Sequence, residues 1–474
     1  MKNHLLLALA ALGFAGAACA SGVMFGFENS DGHHYYRSSG LTSFEVRYSG
    51  DIEISPDQER VLSISPGGFL EIETRRLFTI REVRMTPGEK GGVEIRYWRA
   101  DRRGSEEDGK AFLERHLSEV VRLTPVGARS EARRLLAAGG PRRVLSSLGD
   151  RDSDEAREIY LETILDGPPV DAPTGVEIIR EAAREISGSS RLSRFLVRLA
   201  QKLPPDPELT ARLARACDEI SSSSARREAL TGIANGRGIP AMAASDFAGS
   251  VAGISSSTEK AAAIERLAAG STDPHVLSEL AGAADTIDSS SERRRALSAL
   301  VARPAIAGSP LIRVLKAAEG INSSSEKASF LAAAASACAT PEAIRDYVHA
   351  ADTIDSSSET RRALSALLRP ELARDGWIAA VKAARRIGSS SEKASLLVRA
   401  AGAPSIDSAM LAAYLECAGS IDSSSEKRRA VVALLRRADL APEQVTALTI
   451  FAEREISSSS EREAVLREAA NRKS

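Results

Sequence analysis

Ile421-Asp422-Ser423-Ser424-Ser425-Glu426-Lys427 recurs, with small changes, along more than half of the chain. Its isoleucine stands at Ile186, Ile220, Ile254, Ile287, Ile321, Ile354, Ile387, Ile421 and Ile456, in steps of 34, 34, 33, 34, 33, 33, 34 and 35 residues. A fixed period in this range marks a solenoid of stacked repeats. The serine and glutamate stand in the S-x-x-E relation of a capping box, in which the serine caps backbone N–H groups and the glutamate reaches back. The pairs are Ser289/Glu292, Ser323/Glu326, Ser356/Glu359, Ser389/Glu392, Ser423/Glu426 and Ser458/Glu461. Each serine run therefore opens a helix, and each isoleucine closes the preceding helix into the core.

A second helix precedes each isoleucine. It often opens on a cap residue followed by proline, as at Asp206-Pro207, Asp273-Pro274, Ser309-Pro310 and Thr340-Pro341. Proline suits the first helical position, where its missing N–H has no partner to lose. Ile344, Tyr347, Val348 and Ala351 then lead to Ile354 at helical spacing. Two helices with one apolar face each cannot bury that face alone, and stacking buries it. A longer period overlies the first. Ala283 to Glu292 returns as Ala350 to Glu359, offset by 67 residues, and the units between carry Glu326-Lys327-Ala328 and Glu392-Lys393-Ala394. This predicts duplication of repeat pairs and two faces that alternate along the array.

The predicted fold is mainly α: a right-handed α-solenoid of HEAT/TPR-like helix pairs, 33–34 residues per repeat, behind a small antiparallel β module. The expected divisions are a signal peptide over 1–20, a linker over 21–40, the β module over 41–103, a helical connector and cap over 104–170, and the repeats over 171–474. The β module is read from period-two alternation, with Phe44, Val46 and Tyr48 set between Glu45 and Arg47, and with turn residues such as Pro66-Gly67-Gly68. Five or six strands are expected there. Glu71, Glu73 and Arg75, and Glu94 and Arg96, make a polar face, read as cross-strand pairs or as a binding face.

Lys2, the apolar run Leu5 to Ala15, and Ala18-Cys19-Ala20 read as a secretory signal cleaved after Ala20; a lipoprotein reading, with Cys19 lipidated, stays open. The expected location is the periplasm or the cell exterior, with no transmembrane segment after cleavage. Cys217, Cys338 and Cys417 remain, an odd and widely spaced set expected to be buried rather than bridged. Lys plus Arg number 63 against 64 acidic residues, so no bulk charge draws the chain to nucleic acid or an anionic membrane.

No catalytic constellation is assembled. H-E-x-x-H, a P-loop and a G-x-S-x-G elbow are all missing, and His33-His34 is the one close pair among six histidines, read as a loop. No catalytic, cofactor or metal residues are assigned, and no enzyme activity is expected. The stacked helix N-termini, with Lys260, Arg293, Lys327, Lys393, Lys427 and Arg462 beside them, allow an anion-binding edge, and Asp288, Asp355 and Asp422 suggest calcium. Against both stands the simpler reading that serine and glutamate are caps.

At Arg96-Tyr97-Trp98, Ala111-Phe112-Leu113, Ala132 to Gly140 and Tyr160-Leu161, the chain resembles a group of uncharacterised bacterial envelope proteins with a β module and HEAT-like repeats. Some relatives carry this segment behind a BlaR1-type membrane metallopeptidase domain, which this chain lacks. The resemblance implies an envelope protein with no catalytic role to carry over. The expected function is a non-enzymatic scaffold binding protein or peptide on the concave repeat face, with the β module as second contact. The alternative is a sensory or regulatory accessory of an envelope signalling or peptidase system; a calcium- or anion-binding surface protein is the third reading.

Overall fold

The computed structural model describes residues 24–29, 32–88 and 92–472. The expected signal peptide and Cys19 lie outside them. The chain divides into two compact units, residues 1–209 and residues 210–474.

In the first unit the strands are β1 (Met24–Asn29), β2 (Gly32–Ser39), β3 (Thr42–Ser49), β4 (Ile52–Ile54), β5 (Val61–Ile64), β6 (Phe69–Arg76), β7 (Thr79–Pro87), β8 (Val93–Arg99) and β9 (Arg102–Arg103). Seven form an antiparallel sheet in the order β1-β2-β3-β6-β7-β8-β9, and β4 and β5 make a separate hairpin. The expected linker over 21–40 is corrected by β1 and β2. Its His33, His34, Tyr35 and Tyr36 lie in a strand that buries Tyr35 and stacks His33 on Tyr48 at 4.8 Å. The histidine pair is therefore strand, not loop.

Helix α1 (Glu106–Leu123) closes the sheet's core. Ser105 and Asp108 form a full capping box at its start, with Asp108 N donating to Ser105 Oγ at 3.1 Å and Ser105 N donating to Asp108 Oδ2 at 3.2 Å. Val46, Leu70, Ile72, Val83 and Met85, all fully buried, pack with Phe112, Leu113, Leu117 and Val120 of α1. Gly109 lets the helix come close, since a Cβ there would stand 2.9 Å from Ile95 Cγ2. The β module thus takes its lid from the stretch expected as connector. Helices α2 (Ala128–Leu145), α3 (Asp154–Asp166), α4 (Ala172–Glu185) and α5 (Ser189–Lys202) follow, α2 breaking at Gly139 and Gly140 just before Pro141.

The second unit is consecutive packed helix pairs. The helices opened by serines are Ser223–Arg237, Ser257–Ala269, Ser290–Val301, Ser324–Ala334, Ser357–Leu367, Ser390–Ala400, Ser424–Leu435 and Ser459–Asn471. Every anchoring isoleucine from Ile186 to Ile456 is at most 7% exposed. Tyr347 and Tyr414, equivalent positions in two units, are fully buried and donate to Ala363 O and Ala430 O at 2.8 Å each. One expected cap differs: Ser309 lies inside its helix, and Gly308, at φ 61°, is the residue before it.

Candidate functional site

The serine run has three separate jobs. The first serine caps: Ser289, Ser323, Ser356, Ser389, Ser423 and Ser458 accept from the backbone N–H of Glu292, Glu326, Glu359, Glu392, Glu426 and Glu461 at 3.4–3.5 Å. The second reaches the following repeat. Ser290 Oγ accepts from Ser323 N at 3.2 Å, Ser357 Oγ from Ser389 N at 3.3 Å, and Ser424 Oγ from Ser458 N at 3.3 Å. The third bonds the first, as Ser425 does Ser423 at 2.9 Å.

The glutamates correct the expected box. Their carboxylates turn to arginines instead of back to the cap. Glu259, Glu326, Glu392 and Glu461 each pair with an arginine of the preceding repeat: Arg227, Arg294, Arg361 and Arg428. Glu292, Glu359 and Glu426 pair with Arg295, Arg362 and Arg429 one turn on in the same helix. An arginine carboxylate bond is charge-assisted and outcompetes a neutral backbone N–H.

The arginines explain the 67-residue period. Repeats with Arg294-Arg295, Arg361-Arg362 and Arg428-Arg429 give to both neighbours. Arg362 Nη2 reaches back to Ser325 O at 2.8 Å, and Arg429 Nη2 to Ser391 O at 3.0 Å. The repeats between place Ala261, Ala328 and Ala394 where the forward-reaching arginine stands, and receive.

The next position along the helix, after the glutamate, also ties repeats together. Lys260, Lys327 and Lys393 are nearly buried and donate into the turn of the next repeat, to Thr286 O at 3.0 Å, Thr353 O at 3.2 Å and Ser420 O at 2.9 Å. Arg226 and Arg293 cap their own repeat, on Ile220 O at 2.9 Å and Ile287 O at 2.8 Å. Their guanidinium groups lie where a side chain at Gly253 or Gly320 would be: a Cβ at Gly320 would stand 1.7 Å from Arg293 Nη1. At these five repeats lysine goes with Thr or Ser in the next turn and arginine with Gly; Lys427, which donates to Glu455 O at 2.9 Å, and Thr360 depart from the pairing.

These cations are committed to carbonyl oxygens, which removes them from the expected anion-binding edge. Burial lowers the Lys260 and Lys327 amines below the usual lysine range, opposed by the charges of Asp288 and Asp355. Those aspartates, the calcium candidates, thus stand near buried lysines, and Asp422 N donates to Ser390 Oγ at 3.3 Å. Among the described residues no group of three or more His, Cys, Asp or Glu side chains is arranged to hold a metal ion. Cys217, Cys338 and Cys417 are free and fully buried. Burial pushes the Cys338 and Cys417 thiols up to about 12.

In the first unit the sheet's face away from α1 carries Arg47, which bonds Glu71 at 2.7 Å across strands, while Arg75 and Arg96 pair with Glu73 and Glu94 on their own strands. Burial raises the Glu82 carboxyl, and the charges of Glu71 and Glu73 add to that.

The face toward α1 changes character along the strands. One cross-strand row is apolar: Tyr35, Val46, Ile72, Val83 and Tyr97. The next is Arg37, Phe44, Thr74, Arg81 and Arg99, with Arg81 directly opposite Arg99. Arg115, His116 and Glu119 of α1 face this row across a cleft of about 870 Å³, also lined by Arg75 and Arg76. Glu119 pairs with Arg37, and Arg75 with Glu73. Among the described residues Arg76, Arg81, Arg99 and Arg115 have no ion pair with an acidic side chain. Burial lowers the His116 imidazole, and Arg115 and Arg81 add to that. Sequence reading missed this cleft; its one signal was the run of arginines between Arg75 and Arg115.

No family model and no curated protein matches the chain. Among the described residues no helix is long and apolar enough to cross a membrane. A solved structure, a circular tandem repeat protein with novel repeat topology and enhanced subunit contact surfaces, is similar at 14% identity over 77% of this chain and 78% of that one. Its TM-score of 0.14 is too low to carry an inference about this chain.

Proposed function

We propose that the protein is a non-enzymatic scaffold of the bacterial cell envelope that binds a protein or peptide along its repeats. The observation that supports this most is the repetition of one exposed position. Lys316, His349 and Lys382 stand five residues before Ile321, Ile354 and Ile387, and all three are exposed. The motif side chains are used within the array, and of the three exposed positions His349 also stands 3.8 Å from Glu319 of the preceding repeat. An extended partner gains one contact per repeat from such a surface.

Photo-cross-linking side chains placed singly at Lys316, His349 and Lys382 in living cells test the reading. The same polypeptide captured from all three supports it. No polypeptide from any of them, with a metabolite instead raising the melting temperature, overturns it. The envelope part has its own test: protein from the envelope fraction begins at Ser21, and uncleaved protein in the cytosol sinks that part.

A further inference from the structure

The arginine row is hard to explain as a device for folding. Like charges directly opposite on neighbouring strands destabilise a sheet, yet Arg81 faces Arg99 in register. With Arg76 and Arg115, four guanidinium groups that form no ion pair with an acidic side chain among the described residues line one cleft, Arg99 feeling only the more distant charge of Asp108. Guanidinium groups held this way are built to receive phosphate or carboxylate oxygens. A second feature adjoins them. The tip between β6 and β7 carries Leu77, 55% exposed, and Phe78, 98% exposed, and both line the cleft's rim. The neighbouring tip offers Leu41, 73% exposed, whose carbonyl accepts from Leu77 N at 2.9 Å. Three large apolar side chains on two joined hairpin tips, next to unpaired arginines, match a ligand that is both anionic and oily.

We propose that this end of the sheet docks on an anionic phospholipid surface, with Leu41, Leu77 and Phe78 entering the head-group and acyl boundary and Arg76, Arg81, Arg99 and Arg115 holding phosphates. Apolar insertion and arginine attraction add at such an interface. The reading is independent of the repeats and of any partner they bind.

Co-sedimentation of the mature protein with vesicles of phosphatidylglycerol in phosphatidylcholine tests it. Binding is expected to the mixed vesicles, to be absent with phosphatidylcholine alone, and to fall as salt rises. The pair Arg81→Gln/Arg99→Gln weakens binding about 30-fold, at the contribution expected per arginine near an anionic surface. Phe78→Ser, at a side chain with nothing to unfold, weakens it about tenfold or more. Circular dichroism melting checks that the arginine variant is folded. Equal binding to both vesicle types, or no change in either variant, overturns the proposal. So does full competition by free glycerol phosphate with Phe78→Ser unchanged, which means the cleft takes soluble anions and not a membrane.

Discussion

Arg362 Nη2 donates to Ser329 Oγ at 3.0 Å, reaching back from one repeat into the repeat before it. Its neighbour Arg361 reaches forward to Glu392. One Arg-Arg pair thus ties three consecutive repeats. The side chains are half-exposed, so each tie is worth about 0.5–1 kcal/mol, against about 1.5–3 kcal/mol for each buried Leu or Ile between the helices. Packing holds the repeats together, and the arginines set which repeat sits beside which.

Arg361→Ala and Arg362→Ala should each lower stability by about 0.5–1 kcal/mol in urea unfolding, and by less as salt rises. A loss that ignores salt would show that packing, not charge, carries the effect.

Lys327 should matter more. Its Nζ donates to Glu319 O at 3.0 Å, Thr353 O at 3.2 Å and Thr353 Oγ1 at 2.7 Å, and the residue is 4% exposed. Lys327→Met leaves carbonyls unpaired and should cost about 2–3 kcal/mol. The pH dependence has a definite sign. Burial puts the folded value of Lys327 and Lys260 below the ordinary 10.5. Between the lowered and the ordinary value the unfolded chain holds protons the folded chain has released, so these lysines add stability as pH rises there. Comparing Lys260→Met/Lys327→Met with the parent, by urea unfolding across that window, should show a shallower rise in the variant. Equal slopes would mean the amines are not desolvated.

Ser356 and Glu359 should act independently. Ser356→Ala costs about 1 kcal/mol as a lost cap. Glu359→Ala costs less, because its carboxylate pairs with exposed Arg362 and not with the Ser356 backbone. A double-mutant cycle should give coupling near zero, and strong coupling would restore the reciprocal box.

The thiols of Cys217, Cys338 and Cys417 should stay silent toward a disulfide reagent at neutral pH until the protein is unfolded, when each of them reacts. Fast labelling of any one in the folded state would contradict their full burial.

The repeats were legible because their signals are local: an isoleucine, a cap and a period all sit within a few residues of one another. The strands from Phe44 to Tyr97 were legible for the same reason. Residues 24–39 were not, since Gly26, His33, His34 and Ser38 dilute the alternation that buries Tyr35. The reach of Glu326 to Arg294 was hidden because S-x-x-E has two solutions, and the choice depends on an arginine from another repeat. The cleft was least visible of all. Arg37, Arg81 and Arg99 meet only through strand register, which no short window of sequence contains.

The alternation of giving and receiving repeats sets a quantum on how this protein can change length. Removing one receiving repeat would place two Arg-Arg helices side by side, with arginines where an alanine and a serine, as at Ala328-Ser329 and Ala394-Ser395, should receive them. Removing two restores every partner. Natural variation and engineered shortening should therefore proceed in steps of 67 residues, and an odd number of repeats lost between Ser222 and Ser458 should leave a seam at which the array opens first.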